Sequence, residues 1–408
     1  MEKIKKICIV SAGILPVPDV MGGAVEHLIT MISNVNETEH KFDITVITCP
    51  NKEAFVKQRK YKYTHFVNLK SYNSKLLKKW IAKINWHINH HFHRELYILN
   101  YINSPFCRYL VKKRNSFDLV IGECPGTDFC GLASLLTGRK HFTIHLHANV
   151  FASPNLERTY GNVISVSDFI MKQYREKSTL PQGRVLTVFN GIETENFKKK
   201  ISTFDRKSLR HNLGFSDNDF ILIFCGRIVA DKGVRELINA LLMINIDKIK
   251  LLILGSSNFG LGDSGNYPQE IKALVNKAKD RIKFTGYIDN RDVYKYHKIA
   301  DVGIMPSMHN DPCPLSLFEL ITSGLPTIAT RAGGMPEIGN ENTTIFVSMD
   351  NIIPELKEGI LKLFYNPILR ESMSKAAVIR STEFTKQRFY ADFCNTINHL
   401  IALNYDYK

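Results

Sequence analysis

The chain has 408 residues, 44% apolar and 23% charged, enough for two or three globular domains that each bury a full core. No apolar run approaches the ~20 residues needed to span a bilayer, which argues against a membrane-spanning helix. An excess of 54 Lys and Arg over 39 Asp and Glu, a net charge of +15, predicts an anionic partner: nucleotide phosphate, anionic lipid or nucleic acid.

In chain order, Lys3, Lys5 and Lys6 precede the apolar stretch Ile7–Leu15, which imitates a secretion signal. The stretch is short, has no small-residue cleavage site and runs into a glycine loop, so it reads as a buried first strand, Ile7–Ala12. Further short β-branched runs predict strands at Ile44–Thr48, His65–Leu69, Phe117–Ile121, Phe142–His147, Val163–Val166 and Val185–Phe189. A second series is expected at Phe220–Cys225, Lys250–Leu254, Lys283–Thr285, Asp301–Met305, Thr327–Thr330 and Ile345–Val347. Helical stretches alternate with these runs, which predicts α/β architecture with two doubly wound, Rossmann-like domains. Ligands are then expected beyond the carboxyl ends of the strands, in a cleft between the domains. The polar stretch Glu193–Asn218, with Lys198, Lys199 and Lys200, is the expected junction. The resulting division is 1–195, 196–385 and a closing helix over 386–408, in which Phe389, Phe393, Ile397 and Ile401 recur at helical spacing.

Several segments carry chemistry. Gly22-Gly23-Ala-Val-Glu26 follows the first strand and opens a helix, where glycines permit close backbone approach and a helix start favours phosphate. A tight strand-to-helix turn explains the same residues. In Cys225-Gly226-Arg227-Ile-Val-Ala-Asp-Lys232-Gly233, Arg227 and Lys232 follow a strand end, where two cations suit a diphosphate leaving group. Asp311-Pro-Cys-Pro-Leu-Ser-Leu-Phe-Glu319 places two carboxylates around a helix predicted to begin at Pro314. Ser323-Gly-Leu-Pro-Thr and Arg331-Ala-Gly-Gly-Met-Pro-Glu337 follow it. Glycoside hydrolysis also uses two carboxylates, but needs them opposed across a sugar, and these share one loop and helix. His145 and His147 alternate onto one sheet face near a strand end, and His147 is the nearer to the tip.

Other patterns read as ordinary structure. Gly260-Leu-Gly-Asp-Ser-Gly265 stands too far from its strand for a dinucleotide fingerprint, and Asp217-Asn-Asp219 is placed for a turn. His87, His90, His91 and His93 lack a carboxylate or cysteine to complete a metal site. Eight scattered cysteines form no C-x-x-C pair and fit a reducing cytoplasm. The helix expected over 75–88 carries Leu77, Trp80, Ile81, Ile84 and Ile88 on one side and Lys75, Lys78, Lys79 and Lys83 on the other. That pattern suits an anionic membrane surface, and equally a helix packed on its own domain.

Taken together, the Gly22-Gly23 loop, His147, Val166-Ser167, Asn190-Gly191, Gly226-Arg227, Lys232-Gly233, Phe284-Thr-Gly-Tyr-Ile288 and the segment from Asp311 to Glu319 resemble family 4 glycosyltransferases. These are retaining nucleotide-sugar enzymes of the GT-B fold, with two Rossmann-like domains and a last helix that crosses back to the first. The resemblance implies that Arg227, Lys232 and the amides of Leu315, Ser316 and Leu317 beyond Pro314 hold the donor diphosphate. Glu319 would bind the ribose, Asp311 and His147 the donor sugar, Gly22 and Gly23 the phosphates by close backbone approach, Gly226 the donor, and Tyr287 and Ile288 the base. The family usually has Glu where this chain has Asp311, so donor-sugar preference does not carry over.

The implied activity is transfer of a sugar, from a UDP-sugar by family precedent, to a glycan or polyprenyl-diphosphate-linked acceptor in surface polysaccharide synthesis. Neither cofactor nor metal is expected, and the location is the cytoplasm, at the inner face of the plasma membrane if 75–88 docks there. A nucleotide-sugar epimerase of the same architecture is the alternative. A nucleic-acid binder ranks far below, since the charge is dispersed and no aromatic–basic recognition motif is present.

Overall fold

The computed structural model describes residues 4–92, 97–123, 129–255 and 267–405. The chain forms two compact units, Met1–Asn190 with Lys386–Lys408, and Gly191–Thr385. Each is built on one wholly parallel sheet.

The first sheet contains β1 (Lys5–Val10), β2 (Phe42–Thr48), β3 (Thr64–Asn68), β4 (Leu119–Gly122), β5 (Phe142–Leu146), β6 (Asn162–Ser165) and β7 (Val185–Thr187). Their spatial order is β3-β2-β1-β4-β5-β6-β7. The second contains β8 (Phe220–Cys225), β9 (Ile249–Leu254), β10 (Ile282–Gly286), β11 (Val302–Met305), β12 (Thr327–Thr330) and β13 (Thr344–Val347), in the order β10-β9-β8-β11-β12-β13. Parallel strands need crossover helices, and helices covering a sheet bury both its faces. The sequence of β8, Phe-Ile-Leu-Ile-Phe-Cys, is accordingly apolar throughout and buried at every position. In each sheet the chain winds first to one side and then to the other, so the order reverses between β1 and β4 and between β8 and β11.

The expected strands all form, and β8 and β12 match residue for residue. The first begins two residues earlier than apolarity suggests, because Lys5 and Lys6 pair with Phe42 and Asp43 at the sheet's amino end. There the Lys5 ammonium reaches Asn398 Oδ1 at 3.0 Å. The stretch Glu193–Asn218, expected to link the domains, instead belongs to the second unit, and the change of unit falls at Asn190 and Gly191. It folds as the short helices Thr194–Phe197 and Thr203–Asn212. Its polar character is partly internal: Arg210 is buried and donates to the carbonyls of Ser216, Ile299 and Asp219. The chain's entry to and exit from this unit lie side by side, joined by Ile192 N–H donating to the Phe384 carbonyl at 2.9 Å.

The closing helix, Lys386–Tyr405, belongs to the first unit and packs on the helix Ala24–Glu39. Phe389, Phe393, Ile397 and Ile401 are all buried, as their spacing predicts. The Tyr390 hydroxyl donates to Asn36 Oδ1 at 2.6 Å. Arg388 donates to the carbonyls of Phe189 and Asn190, and Arg184 to Leu403 O and Asn404 Oδ1. Phe393→Ala should therefore lower the unfolding free energy of the first unit by about 3–5 kcal/mol, read from urea denaturation. An exposed position of the same helix such as Asn395→Ala should change it by well under 1 kcal/mol.

Candidate functional site

The residues singled out by sequence fall into two groups, one in each unit, at the carboxyl ends of strands: Gly22, Gly23, Arg227, Lys232 and Asp311 follow strands where the sheet order reverses, while His147 follows β5 and Tyr287 and Ile288 follow β10. That is where doubly wound sheets leave an opening between diverging crossovers.

In the first unit, Gly22 and Gly23 have φ of 78° and 100°, a left-handed backbone that suits glycine. A Cβ on Gly23 would lie 2.3 Å from Glu26 Oε2 and 2.8 Å from Leu15, so the turn itself demands glycine. Glu26, in the first turn of the helix that follows, is buried. Burial first, then the charges of Glu123 and Asp19, push its carboxyl up to about 7, against the opposing pull of a backbone hydrogen bond.

Glu123 is the residue that the sequence did not disclose. It follows β4 immediately, is almost wholly buried, and receives both expected histidines. His147 Nε2 lies 2.6 Å and His145 Nδ1 3.0 Å from the same oxygen, Oε2, and the two rings are 4.1 Å apart. Burial alone would raise the Glu123 carboxyl, but the two imidazoles override it and hold it at about 2. Burial, and next the neighbouring His145, lower His147. An ionised Glu123 therefore accepts from His147 Nε2–H, which fixes that ring's tautomer and orientation. Only an alternation count around β5 pointed here, and it could not say which carboxylate lay opposite.

Glu123, His145 and His147 offer donor atoms within 4.8 Å of one another, the grouping among the described residues that could hold a metal ion. The 2.6 Å contact is hydrogen-bond spacing. Two donors on one zinc ion stand about 3.3 Å apart for zinc–nitrogen bonds of about 2.0–2.1 Å. As arranged, the group is a carboxylate orienting an imidazole. Of the histidines on the basic helix, His87 lies edge-on to Trp86, and His93 is outside the described residues.

In the second unit, glycines tie the strand ends together. Gly226 N–H donates to Leu254 O, and Gly255 N–H to Gly286 O. A Cβ on Gly255 would meet Gly226 O at 1.9 Å. Arg227 is exposed just beyond β8 and makes no ion pair with a described residue. Lys232 ends a short 3-10 turn, and its ammonium lies 2.5 Å from Asp311 Oδ2. His309 Nε2 stands 3.8 Å from the same oxygen. Gly233, at φ 71°, passes so close to Pro306 O that a Cβ would sit at 1.8 Å. Asp311 is held by its backbone as well: Gly334 N–H donates to its carbonyl at 2.8 Å, and a Cβ on Gly333 would clash with that oxygen. The run Arg331–Glu337 thus has a structural task, fixing the acidic loop.

The helix beside this loop runs Leu315–Thr322, with Pro314 as its N-cap and not its first turn, one position from expectation. Leu317 N–H donates to Pro314 O at 3.1 Å, while the N–H groups of Leu315 and Ser316 have no carbonyl one turn back within the helix. Ser316 Oγ reaches Met305 Sδ at 3.4 Å, which ties the helix start to the end of β11. Glu319 lies half-buried one turn on. Tyr287 is exposed and Ile288 half-buried just beyond β10. The segment from Gly260 to Gly265 lies outside the described residues, while Asp217 and Asn218 form a turn, as expected.

With this geometry in hand, comparison with known proteins is informative. Residues 205–380 match the family described as Glycosyl transferases group 1. Spore coat protein SA of Bacillus subtilis (strain 168) is 22% identical over 384 residues, 91% of this chain and 93% of that protein. The lipopolysaccharide 1,2-N-acetylglucosaminetransferase of Salmonella typhimurium is 24% identical over 60% of this chain and 65% of its own length. Among solved structures, Anabaena HepE in complex with UDP-glucose superposes with a TM-score of 0.74 at 17% identity, covering 97% of this chain and 99% of that one. A glycosyltransferase from Rickettsia africae gives 0.76 at 16% identity, covering 98% and 99%. The fold is that of the GT-B glycosyltransferases, with two Rossmann-like α/β units. The second unit carries a glycosyl transferases group 1 domain, and the protein is a glycosyltransferase enzyme.

Glu26 gives this region a measurable pH signature. Its folded-state pKa of about 7 exceeds the ordinary 4.5, so the stability it contributes is complete below about pH 4.5 and is lost as pH rises through 7. Glu26→Gln should flatten that part of the stability–pH curve, by up to about 3 kcal/mol between pH 5 and 8. Urea denaturation at a series of pH values measures it, and a parallel loss in both proteins would show that Glu26 is not the group titrating.

Proposed function

We propose that the protein transfers a sugar from a uridine diphosphate donor to a glycan or polyprenyl-diphosphate-linked acceptor of a surface polysaccharide, with retention of anomeric configuration. The observation that carries this reading is the assembly of Arg227, Lys232, Asp311 and the Leu315 helix start beyond β8 and β11 of one sheet. Cations and helix amides gathered at a sheet's reversal point suit a diphosphate, and Asp311 supplies an acceptor for sugar hydroxyls. The HepE complex with UDP-glucose supports uridine as the base.

In the proposed reaction the bond between the anomeric carbon and the diphosphate oxygen breaks, and the electron pair leaves with UDP. Arg227, Lys232 and the amides of Leu315–Leu317 balance the charge that collects there, so the chain's own cations do what a metal ion would otherwise do. Glu319 holds the ribose, Tyr287 and Ile288 flank the base, and Gly226 lets the backbone approach the phosphates. The acceptor hydroxyl attacks the face that UDP vacates, and the departing phosphate takes its proton. In the first unit, His147, oriented by Glu123, hydrogen-bonds the donor sugar, and Gly22 and Gly23 approach the phosphates. Asp311 keeps Lys232 in place, so little side-chain entropy remains to be lost on binding.

The basic helix runs Lys75–Phe92 and buries Ile81, while Leu76, Leu77, Trp80, Ile84 and Trp86 are exposed beside the lysines. That exposure favours docking on an anionic membrane over packing within the unit. No helix among the described residues is long and apolar enough to cross a membrane. An epimerase would need no acceptor and gains nothing from such a surface.

Arg227→Ala should lower kcat/KM by about 10²–10³-fold, the cost of losing one donor to a developing anion. UDP-sugars should raise the melting temperature of the wild type, by an amount equivalent to about 2.7 kcal/mol at one hundred times the dissociation constant. If UDP, GDP and their sugars all leave the melting temperature unchanged, the donor reading fails. Product formation from UDP-sugar alone, without acceptor, would favour the epimerase.

A further inference from the structure

The first unit holds a second feature at its own reversal point that the roles above leave unused. A cavity of about 640 Å³ opens there, between the ends of β1 and β4, where Val10 and Gly122 form part of its wall. That volume is in the range of small-molecule sites. Its lining has two parts. Tyr72, Phe129 and Tyr160 give an aromatic side, and Lys75, Lys78 and Lys79 come from the first turns of the basic helix.

The electrostatics are one-sided. No Asp or Glu lines the cavity among the described residues, and none of the three lysines makes an ion pair with a described residue. The Lys78 ammonium stands over the Tyr72 ring, 4.3 Å from its centroid, which restrains it at the cavity without neutralising it. Lys75, Lys78 and Lys79, at i, i+3 and i+4 of one helix, share a face and repel one another, a cost that an anion between them would offset. Rings beside such an anion suit a sugar face or an isoprenoid chain.

We infer that this cavity binds the phosphorylated end of the acceptor, a diphosphate joined to a sugar. The inference rests on the transferase reading and deepens it by assigning the acceptor's anionic group to named residues of the first unit. Two sources share that chemistry, a lipid-linked diphosphate and a water-soluble one. The apolar side chains exposed along the same helix, Leu76, Leu77, Trp80 and Ile84, favour the lipid.

The test is calorimetric binding of inorganic pyrophosphate to the full chain carrying Arg227→Ala and Lys232→Ala, which removes the second unit's phosphate-binding cations. Pyrophosphate should still bind. Adding Lys75→Ala, Lys78→Ala and Lys79→Ala should weaken it at least tenfold. Ala12→Phe, which fills the cavity without altering charge, should do the same, whereas Lys83→Ala, an exposed lysine of the same helix outside the lining, should not. Thermal melts confirm that each variant folds, and the lysine variants alter exposed side chains only. Absence of binding before the cavity is altered, or binding that survives both the lysine and the Ala12 variants, overturns the proposal. Farnesyl diphosphate separates the sources: affinity tenfold above pyrophosphate assigns a lipid-linked acceptor, and equal affinity a soluble one. Failure of the donor reading shows separately, as wild-type protein that binds pyrophosphate at the cavity but no UDP-sugar.

Discussion

Parallel pairing constrains this molecule more than any other interaction. Once β1 lies between β2 and β4, and β8 between β9 and β11, every crossover must pass over a sheet face, and the loops at the carboxyl ends diverge where the winding reverses. The Gly22-Gly23 turn, Glu123 and His147 follow β1, β4 and β5, while Arg227, Lys232, Asp311 and Pro314 follow β8 and β11. Helix amides and strand-end side chains are thereby delivered to two small regions with little further adjustment. The strands do this cheaply, since their interiors are nearly all apolar and fully buried.

Charge in the two regions is managed in opposite ways. In the second unit Lys232 and Asp311 neutralise each other across a partly open loop, and Arg227 stays in solvent. Both side chains are largely buried, so desolvation offsets much of their attraction, but the pair holds both groups in one geometry. In the first unit Glu123 is buried and must be compensated, and His145 and His147 do so. Removing either partner from a buried set costs more than the set contributes, which is why it acts as an orienting device. Beside it, Glu26 makes no ion pair with a described residue and stays protonated to higher pH. The lysine-lined cavity is the complement, with positive groups and no acid among the described residues.

Much of the fold was legible in the chain because apolar strands punctuated by glycine leave few alternatives. The Lys386–Tyr405 helix announced its buried face through Phe389, Phe393, Ile397 and Ile401. Polar segments were harder. Glu193–Asn218 reads as a linker because its charged residues outnumber its apolar ones, yet Arg210 satisfies three carbonyls inside a unit, and nothing local signals that. Glycine spacing pointed to backbone approach at Gly22 and Gly23, but not to Gly233 and Gly333, which pass against the carbonyls of Pro306 and Asp311.

Sequence by itself determined the residue types and their strand-end stations: the arginine and lysine after β8, the acidic loop before the Leu315 helix, and the histidine pair at the end of β5. Local spacing suffices there, because strand and helix periods fix which side chains leave together. Tertiary structure alone decided the partners: Asp311 for Lys232, Glu123 for both histidines, and a cavity wall for Lys75, Lys78 and Lys79. Those groups are separated by 79 residues in one case and 24 in another. Their meeting depends on strand order, which no local pattern encodes.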